Sequence, residues 1–403
     1  MSMSPGRLFA DELHDEFGTW MLGYTPFGGG DWGEVAAVAA AVGEGDDGDF
    51  FDAWVAAGDR VRADADAAAA AGRPGASDLY LRASAFYASS YHPLYGTPVD
   101  PRLLDGFRRQ IDAFETGLAL RGIRPSSVAV DDAQVPVYLI PAFGHETEVR
   151  PLLILVNGYD ATVTDSYFAS AVAALRRGYH CLLFDGPGQG AVLYEQGVPM
   201  RPDWEVVVSA VIDHALTSPL VDPERIAVSG WSLGGYLAPR AASGDPRIAA
   251  CIADPGQQDL GAGLSVFARR LGATEEEARD LSALDDDTVG RLMKAIEQDR
   301  KLHWSIIQRG FWVNGVADFQ AFLARTAEYR IERVGDIRCP VLLTHAENDP
   351  IAGGVPAFAE ALSDVTVLPF TAAEGAGGHC EMMNRSLLNR RVLDWLDDTF
   401  ART

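Results

Sequence analysis

Positive charge is scarce in this sequence. Lysine occurs only at Lys294 and Lys301, and 33 Lys+Arg face 57 Asp+Glu among 403 residues, a formal net charge of −24. Without a basic stripe to displace counterions from phosphates, nucleic acid is disfavoured as a partner, and so is an anionic membrane surface. Acidity of this size keeps a surface solvated and repulsive. Cysteine is sparse as well. Cys181, Cys251, Cys339 and Cys380 form no CxxC pair, and three of them fall at or inside expected strands, so neither a disulfide framework nor a metal site is expected. No apolar run reaches the 18 residues of a membrane span. Met1–Glu12 lacks the basic start and apolar stretch of a signal peptide. The expectation is a soluble, cytoplasmic protein without cofactor.

What is present is apolar mass. At 48% hydrophobic residues the chain can bury a sizeable core, and its length suits a core domain with a large elaboration. Residues 1–127 carry almost no strand signal. Alanine-rich stretches with helical apolar spacing lie at Val35–Val42, Asp49–Ala71, Leu79–Ser90 and Leu103–Leu120. From residue 128 the texture changes. Val128–Val130 and Val135–Ile140 flank a turn at Asp131-Asp132 and predict an antiparallel pair. Short apolar runs follow at Leu152–Val156, Cys181–Phe184, Ile226–Ser229 and Ile248–Ala253, separated by the helical stretches Ser166–Arg177 and Trp204–Leu216. Continuous apolar strands alternating with helices predict a buried, mostly parallel sheet. Residues 256–336 interrupt it with helical segments at Glu275–Leu284, Thr288–Arg300 and Gly310–Tyr329. The sheet pattern returns over 337–403, with strands at Val341–His345 and Val365–Leu368 and a last helix at Ser386–Phe400.

Gly230-Trp231-Ser232-Leu233-Gly234 is a G-x-S-x-G sequence placed between an expected strand and an expected helix. That setting is what a nucleophile elbow requires. It lifts Ser232 above the carboxyl edge of the sheet and aims the Leu233 N–H at a developing oxyanion. A serine nucleophile needs a base, and the base an orienting acid, and after a nucleophile elbow these follow in the order acid, then His. Of the downstream histidines, His303 lies in the helical insertion and His345 ends a strand. His379 sits in the glycine-rich loop Gly375–His379 after the last strand, and a mobile backbone there lets an imidazole reach the elbow. Asp349 follows Val341–His345 and is the preferred acid, with Asp254 the runner-up and Glu347 third. The second oxyanion donor is expected in the loop after Leu152–Val156, from Tyr159 N–H or else Asp160 N–H. His145–Val149 is not H-E-x-x-H. Asp185-Gly186-Pro187-Gly188-Gln189-Gly190 lacks the marks of a nucleotide loop and reads as a turn shaping the site's rim. Cys380 reads as a packed thiol.

These residues resemble the α/β-hydrolase fold, with its core over 128–255 and 337–403. The N-terminal half narrows the likeness. Trp54 with its alanine-rich helix, Tyr80–Tyr87, and Asp185–Gly190 beside Gly158-Tyr159-Asp160 resemble 2,6-dihydroxypseudooxynicotine hydrolase and its relatives. That group looks like a set of carbon–carbon bond hydrolases, some of which shorten fungal polyketides. The resemblance implies a Ser232–Asp349–His379 triad and a homodimer. It also implies a further carboxylate beyond the strand after the elbow, where Asp254 and Asp259 both stand. The expected activity is hydrolysis of a carbon–carbon bond beside a ketone in an aromatic or polyketide-like small molecule. The alternatives are an esterase, thioesterase or acyltransferase with the same triad, and a non-catalytic ligand-binding protein. The N-terminal helices and the insertion are expected to cap the site. Phe311, Trp312, Phe319 and Phe322 are expected either to line an aromatic pocket or to form a plain hydrophobic interface.

Overall fold

The structure is a computed structural model that describes residues 7–402 apart from 271, 280, 282 and 283. The chain divides into two compact units, one ending at Arg124 and the other starting at Pro125. The first is helical. Its longest helices, Asp47–Ala70, Ala76–Ala88 and Pro101–Ala119, lie within three residues of the expected stretches. Local chemistry sets their starts. The Asp46 carboxylate accepts the Gly48 and Asp49 N–H groups, and Asp100 caps a helix whose first residue is proline. Phe50, Trp54, Phe86, Phe107 and Phe114 fill the interior.

The second unit is built on an eight-stranded sheet. The strands are β1 (Ser126–Val130), β2 (Ala133–Ile140), β3 (Arg150–Val156), β4 (His180–Phe184), β5 (Val221–Trp231), β6 (Ile248–Asp254), β7 (Val341–Ala346) and β8 (Val365–Phe370). Their order is β1-β2-β4-β3-β5-β6-β7-β8. β2 pairs antiparallel with β1 and with β4, and every other neighbour is parallel. β4 is buried at every position and β3 at all but its first, which is why these strands read as unbroken apolar runs. The chain leaves β3 toward β4 and later returns to its other side as β5. That reversal opens a crevice at the carboxyl ends of β3 and β5, the place where open α/β sheets bind ligands.

The insertion between β6 and β7 stays within the second unit. Its helices include Leu260–Arg270, Asp286–Gln298, His303–Phe311 and Phe319–Ala327. The helix expected over Glu275–Leu284 is a single described turn, Glu277–Arg279, and residues 280, 282 and 283 of that stretch lie outside the described residues. Glu277 accepts the Thr274 N–H at 2.6 Å and the Thr288 hydroxyl at 2.5 Å. Those bonds close the turn and tie it to the next helix. Phe311, Phe319 and Phe322 pack with Leu292, Ile296 and Leu323 in the insertion's own core, and Trp312 stacks on Tyr194 at 5.2 Å. Of the two readings of these aromatics, the structure supports the hydrophobic interface.

At the start of the helix after β5, a Cβ on Gly235 would lie 1.9 Å from the Pro255 carbonyl oxygen. Gly235→Ala is therefore expected to lower stability by about 1–3 kcal/mol, read as a shifted denaturant midpoint with an unchanged slope.

Candidate active site

β5 ends at Trp231 and the next helix starts at Gly234. The two residues between must reverse the chain, and Ser232 does so at φ 56°, a left-handed conformation that side-chain-bearing residues rarely adopt. The turn has no room for a Cβ at Gly230, where it would meet the Gly234 carbonyl oxygen at 1.9 Å. The Ser232 N–H donates to the Asp254 carbonyl at 2.7 Å, which moors the elbow to β6.

Ser232 Oγ lies 3.0 Å from His379 Nε2, and His379 Nδ1 lies 2.9 Å from Asp349 Oδ2. A carboxylate only accepts, so Nδ1 of the neutral ring carries the proton and Nε2 is left to accept from the serine hydroxyl. The Asp349 side chain is 1% exposed and that of the histidine 36%. The Ile351 N–H, at 3.0 Å, holds the other carboxylate oxygen. The loop leading to His379 is tied down, contrary to the expected mobile backbone. Thr371 and Glu374 cap each other, and the Gly377 carbonyl accepts the Asn348 N–H at 2.7 Å. His379 opens the short helical segment His379–Asn384, in which Cys380 and Glu381 have φ of 52° and 46°.

The loop after β3 crosses directly over the elbow. A Cβ on Gly158 would lie 2.8 Å from Ser232 Cβ and 3.0 Å from Leu233 N. Among the described residues, neither the Leu233 N–H nor the Tyr159 N–H donates to another protein group. The insertion grips this loop. Arg309 reaches Asp160 Oδ2 at 2.7 Å and lies 4.7 Å from the centre of the Tyr159 ring, while Asn314 donates to the Tyr159 hydroxyl at 3.0 Å.

The other candidates separate from this site. Asp254, the runner-up acid, gives its carboxylate to the Thr344 hydroxyl at 2.7 Å and to the buried Arg385 at 3.2 Å. His379 Nδ1 faces Asp349 instead, because Asp349 lies on the loop that receives the histidine. Glu347 accepts the Ala372 N–H, and Asp259 caps Ala262 and pairs loosely with Arg330. His303 starts an insertion helix and His345 lies within β7. Burial pushes the Cys380 thiol well up, so it lacks the thiolate a nucleophile needs. Burial, followed by the charge of Asp254, also pushes Glu381 up, which keeps it a neutral acid. Burial pushes Asp185, bonded to Asn157, up to about 7. Sequence reasoning missed Arg309, Arg385 and Glu381, since no local spacing marks them.

A family model described as "Alpha/beta hydrolase family" matches residues 153–389. The chain belongs to that family. Its curated relatives include the 20-hydroxy-prefusarin hydrolase FUS2 of Gibberella moniliformis, 30% identical over 98% of each chain. Hydrolase LUC6 of a Fusarium species is 31% identical over 94% of this chain and 95% of its own. Among solved structures, 2,6-dihydroxy-pseudo-oxynicotine hydrolase matches 94% of this chain and 95% of its own, with a TM-score of 0.72 at 21% identity. AbyA5 matches 97% and 99%, with a TM-score of 0.62 at 17% identity. These two carry the fold. Among the described residues of this alpha/beta hydrolase, no helix is long and apolar enough to cross a membrane.

The two buried carboxylates should respond differently to substitution. Arg385→Ala leaves Asp254 unpaired and is expected to cost about 3–5 kcal/mol of stability in urea unfolding. Asp349→Asn, which keeps shape, should unfold near the parent midpoint.

Proposed function

We propose that this alpha/beta hydrolase is a serine hydrolase that cleaves the carbon–carbon bond beside a ketone in a 1,3-diketone or acyl-aromatic substrate. The observation that carries the acyl-transfer chemistry is the unbroken path from Ser232 Oγ through His379 to Asp349, at 3.0 and 2.9 Å. Ser232 attacks the carbonyl carbon as Nε2 takes its proton. The carbonyl oxygen becomes an oxyanion held by the Leu233 and Tyr159 N–H groups. Collapse breaks the carbon–carbon bond, its electron pair leaves on carbon, as an enolate from a diketone or on the ring carbon of an acyl-aromatic, and the imidazolium returns the proton to that carbon. Water, deprotonated by His379, then releases the acyl group as a carboxylic acid. Net, one water adds across the bond. Asp349 holds the productive tautomer and stabilises the imidazolium throughout.

The choice of carbon as leaving atom rests on the likeness of the N-terminal helices and the rim motif to known carbon–carbon bond hydrolases. The name of the FUS2 relative, a 20-hydroxy-prefusarin hydrolase, supports hydrolysis of a small organic molecule. The acidic surface gives no long-range attraction to anions, which favours a neutral or cationic ketone.

A panel of aryl 1,3-diketones and acyl phenols, run beside nitrophenyl esters, tests the bond. A carboxylic acid is expected from both, with a ketone from the diketones and a phenol from the acyl phenols, and ester turnover with no carbon–carbon cleavage assigns the same residues to ester hydrolysis instead. A fluorophosphonate should label the parent protein at Ser232 and leave Ser232→Ala unlabelled. Absence of labelling in the parent favours a ligand-binding role. Asp349→Asn is expected to lower kcat by about 10⁴-fold, measured on whichever substrate turns over.

A further inference from the structure

The two oxyanion donors belong to two different peptide units, and each unit is held from behind by a glutamine. The first unit joins Gly158 to Tyr159. Its carbonyl accepts Gln189 Nε2 at 3.0 Å, and the same nitrogen reaches the Asn157 carbonyl at 2.8 Å. The Gly186 N–H donates to Gln189 Oε1 at 3.0 Å, which fixes which end of the amide faces the loop. Gln189 is 1% exposed. The second unit joins Ser232 to Leu233. Its carbonyl accepts Gln257 Nε2 at 2.6 Å and the Gly235 N–H at 2.9 Å. Gln257 is itself anchored by its N–H on the Gly235 carbonyl at 3.1 Å.

Both peptides are trans. In a trans peptide the carbonyl and the N–H point to opposite sides of one rigid plane, so a bond that fixes the carbonyl also aims the N–H. We propose that Gln189 and Gln257 are positioning residues that hold the Tyr159 and Leu233 N–H groups on the oxyanion by gripping the far end of each donor's own peptide. The inference rests on the Ser232 reading above and adds residues that touch no reacting atom. It also gives the Asp185–Gly190 rim motif a role, since that motif supplies Gln189. Preorganised donors stabilise charge because they need not reorient as it develops. The Ser232 carbonyl is held twice, whereas Gln189 is the one grip on the Gly158 carbonyl among the described residues. Gln189 is therefore the more consequential of the two.

The test uses Gln189→Glu, which keeps the acceptor for Gly186 and removes the donor, with Gln257→Met as the less buried second variant. Each is assayed on the best ester or ketone substrate and titrated with an aryl trifluoromethyl ketone. Ser232 adds to that carbonyl and leaves a stable oxyanion in the hole. The expected result is a kcat lowered by about 10- to 100-fold, more for Gln189, with KM within about two-fold. The ketone's inhibition constant should rise by the same factor as kcat/KM falls. Folded variants with unchanged kcat, or with kcat lost and ketone affinity kept, overturn the proposal. If Gln189→Glu does not fold, Gln257→Met decides by the same criteria. A parent protein that neither turns over nor labels overturns the Ser232 reading and this one with it. An active parent with unaffected variants overturns this one alone.

Discussion

The site depends on a shortage of space. Between β5 and the helix that follows, the backbone passes so close to β3 and to the end of β6 that hydrogen is the largest side chain tolerated at three positions. A Cβ would meet the Gly234 oxygen from Gly230, the Val156 oxygen from Gly234 and the Pro255 oxygen from Gly235. Because neighbours enforce the turn, Ser232 stays at a positive φ that its own preference disfavours. The strain is held by the packing of the whole sheet, and the serine hydroxyl gains a fixed position relative to a histidine arriving from 147 residues further on.

Around that turn the polar groups sort by depth. Near the surface, a partly exposed imidazole meets a single carboxylate, so one proton can move without leaving a buried charge unpaired. Deeper, Asp254, Arg385 and Glu381 lie together, and the acid that would add a second negative charge stays neutral. Two carboxylates beside the ends of neighbouring strands thus differ in partner, because one faces an imidazole and the other a permanent cation.

The sheet's central strands were legible because they are buried on both faces and announce themselves as apolar runs. The elbow was legible because its glycines are a local demand of a local turn. Ser232, Asp349 and His379 lie where their strands and loops imply. The reading ran out where contacts are long-range. Asp254 stood as runner-up to Asp349 because both lie at the carboxyl edge of neighbouring strands, and its pairing with Arg385, 131 residues away, could not be read from local sequence. Phe311, Phe319 and Phe322 left a pocket and a hydrophobic interface both open, because aromatic composition does not say which face a helix buries, and the insertion's core settles it as the interface. Gln189 was visible inside a glycine-rich motif, but a loop read for phosphate-binding glycines hides a glutamine that binds carbonyls.

Arg385 also imposes an order in time. It binds the Cys380 carbonyl at 2.7 Å and the Asp254 carboxylate at 3.2 Å, yet it is synthesised 131 residues after Asp254. At about 5–20 residues per second, translation takes on the order of ten seconds to deliver the arginine. Through that interval β6 ends in a carboxylate without its cation. The Asp254–Arg385 pair therefore forms only once the first turn of the last helix has been made.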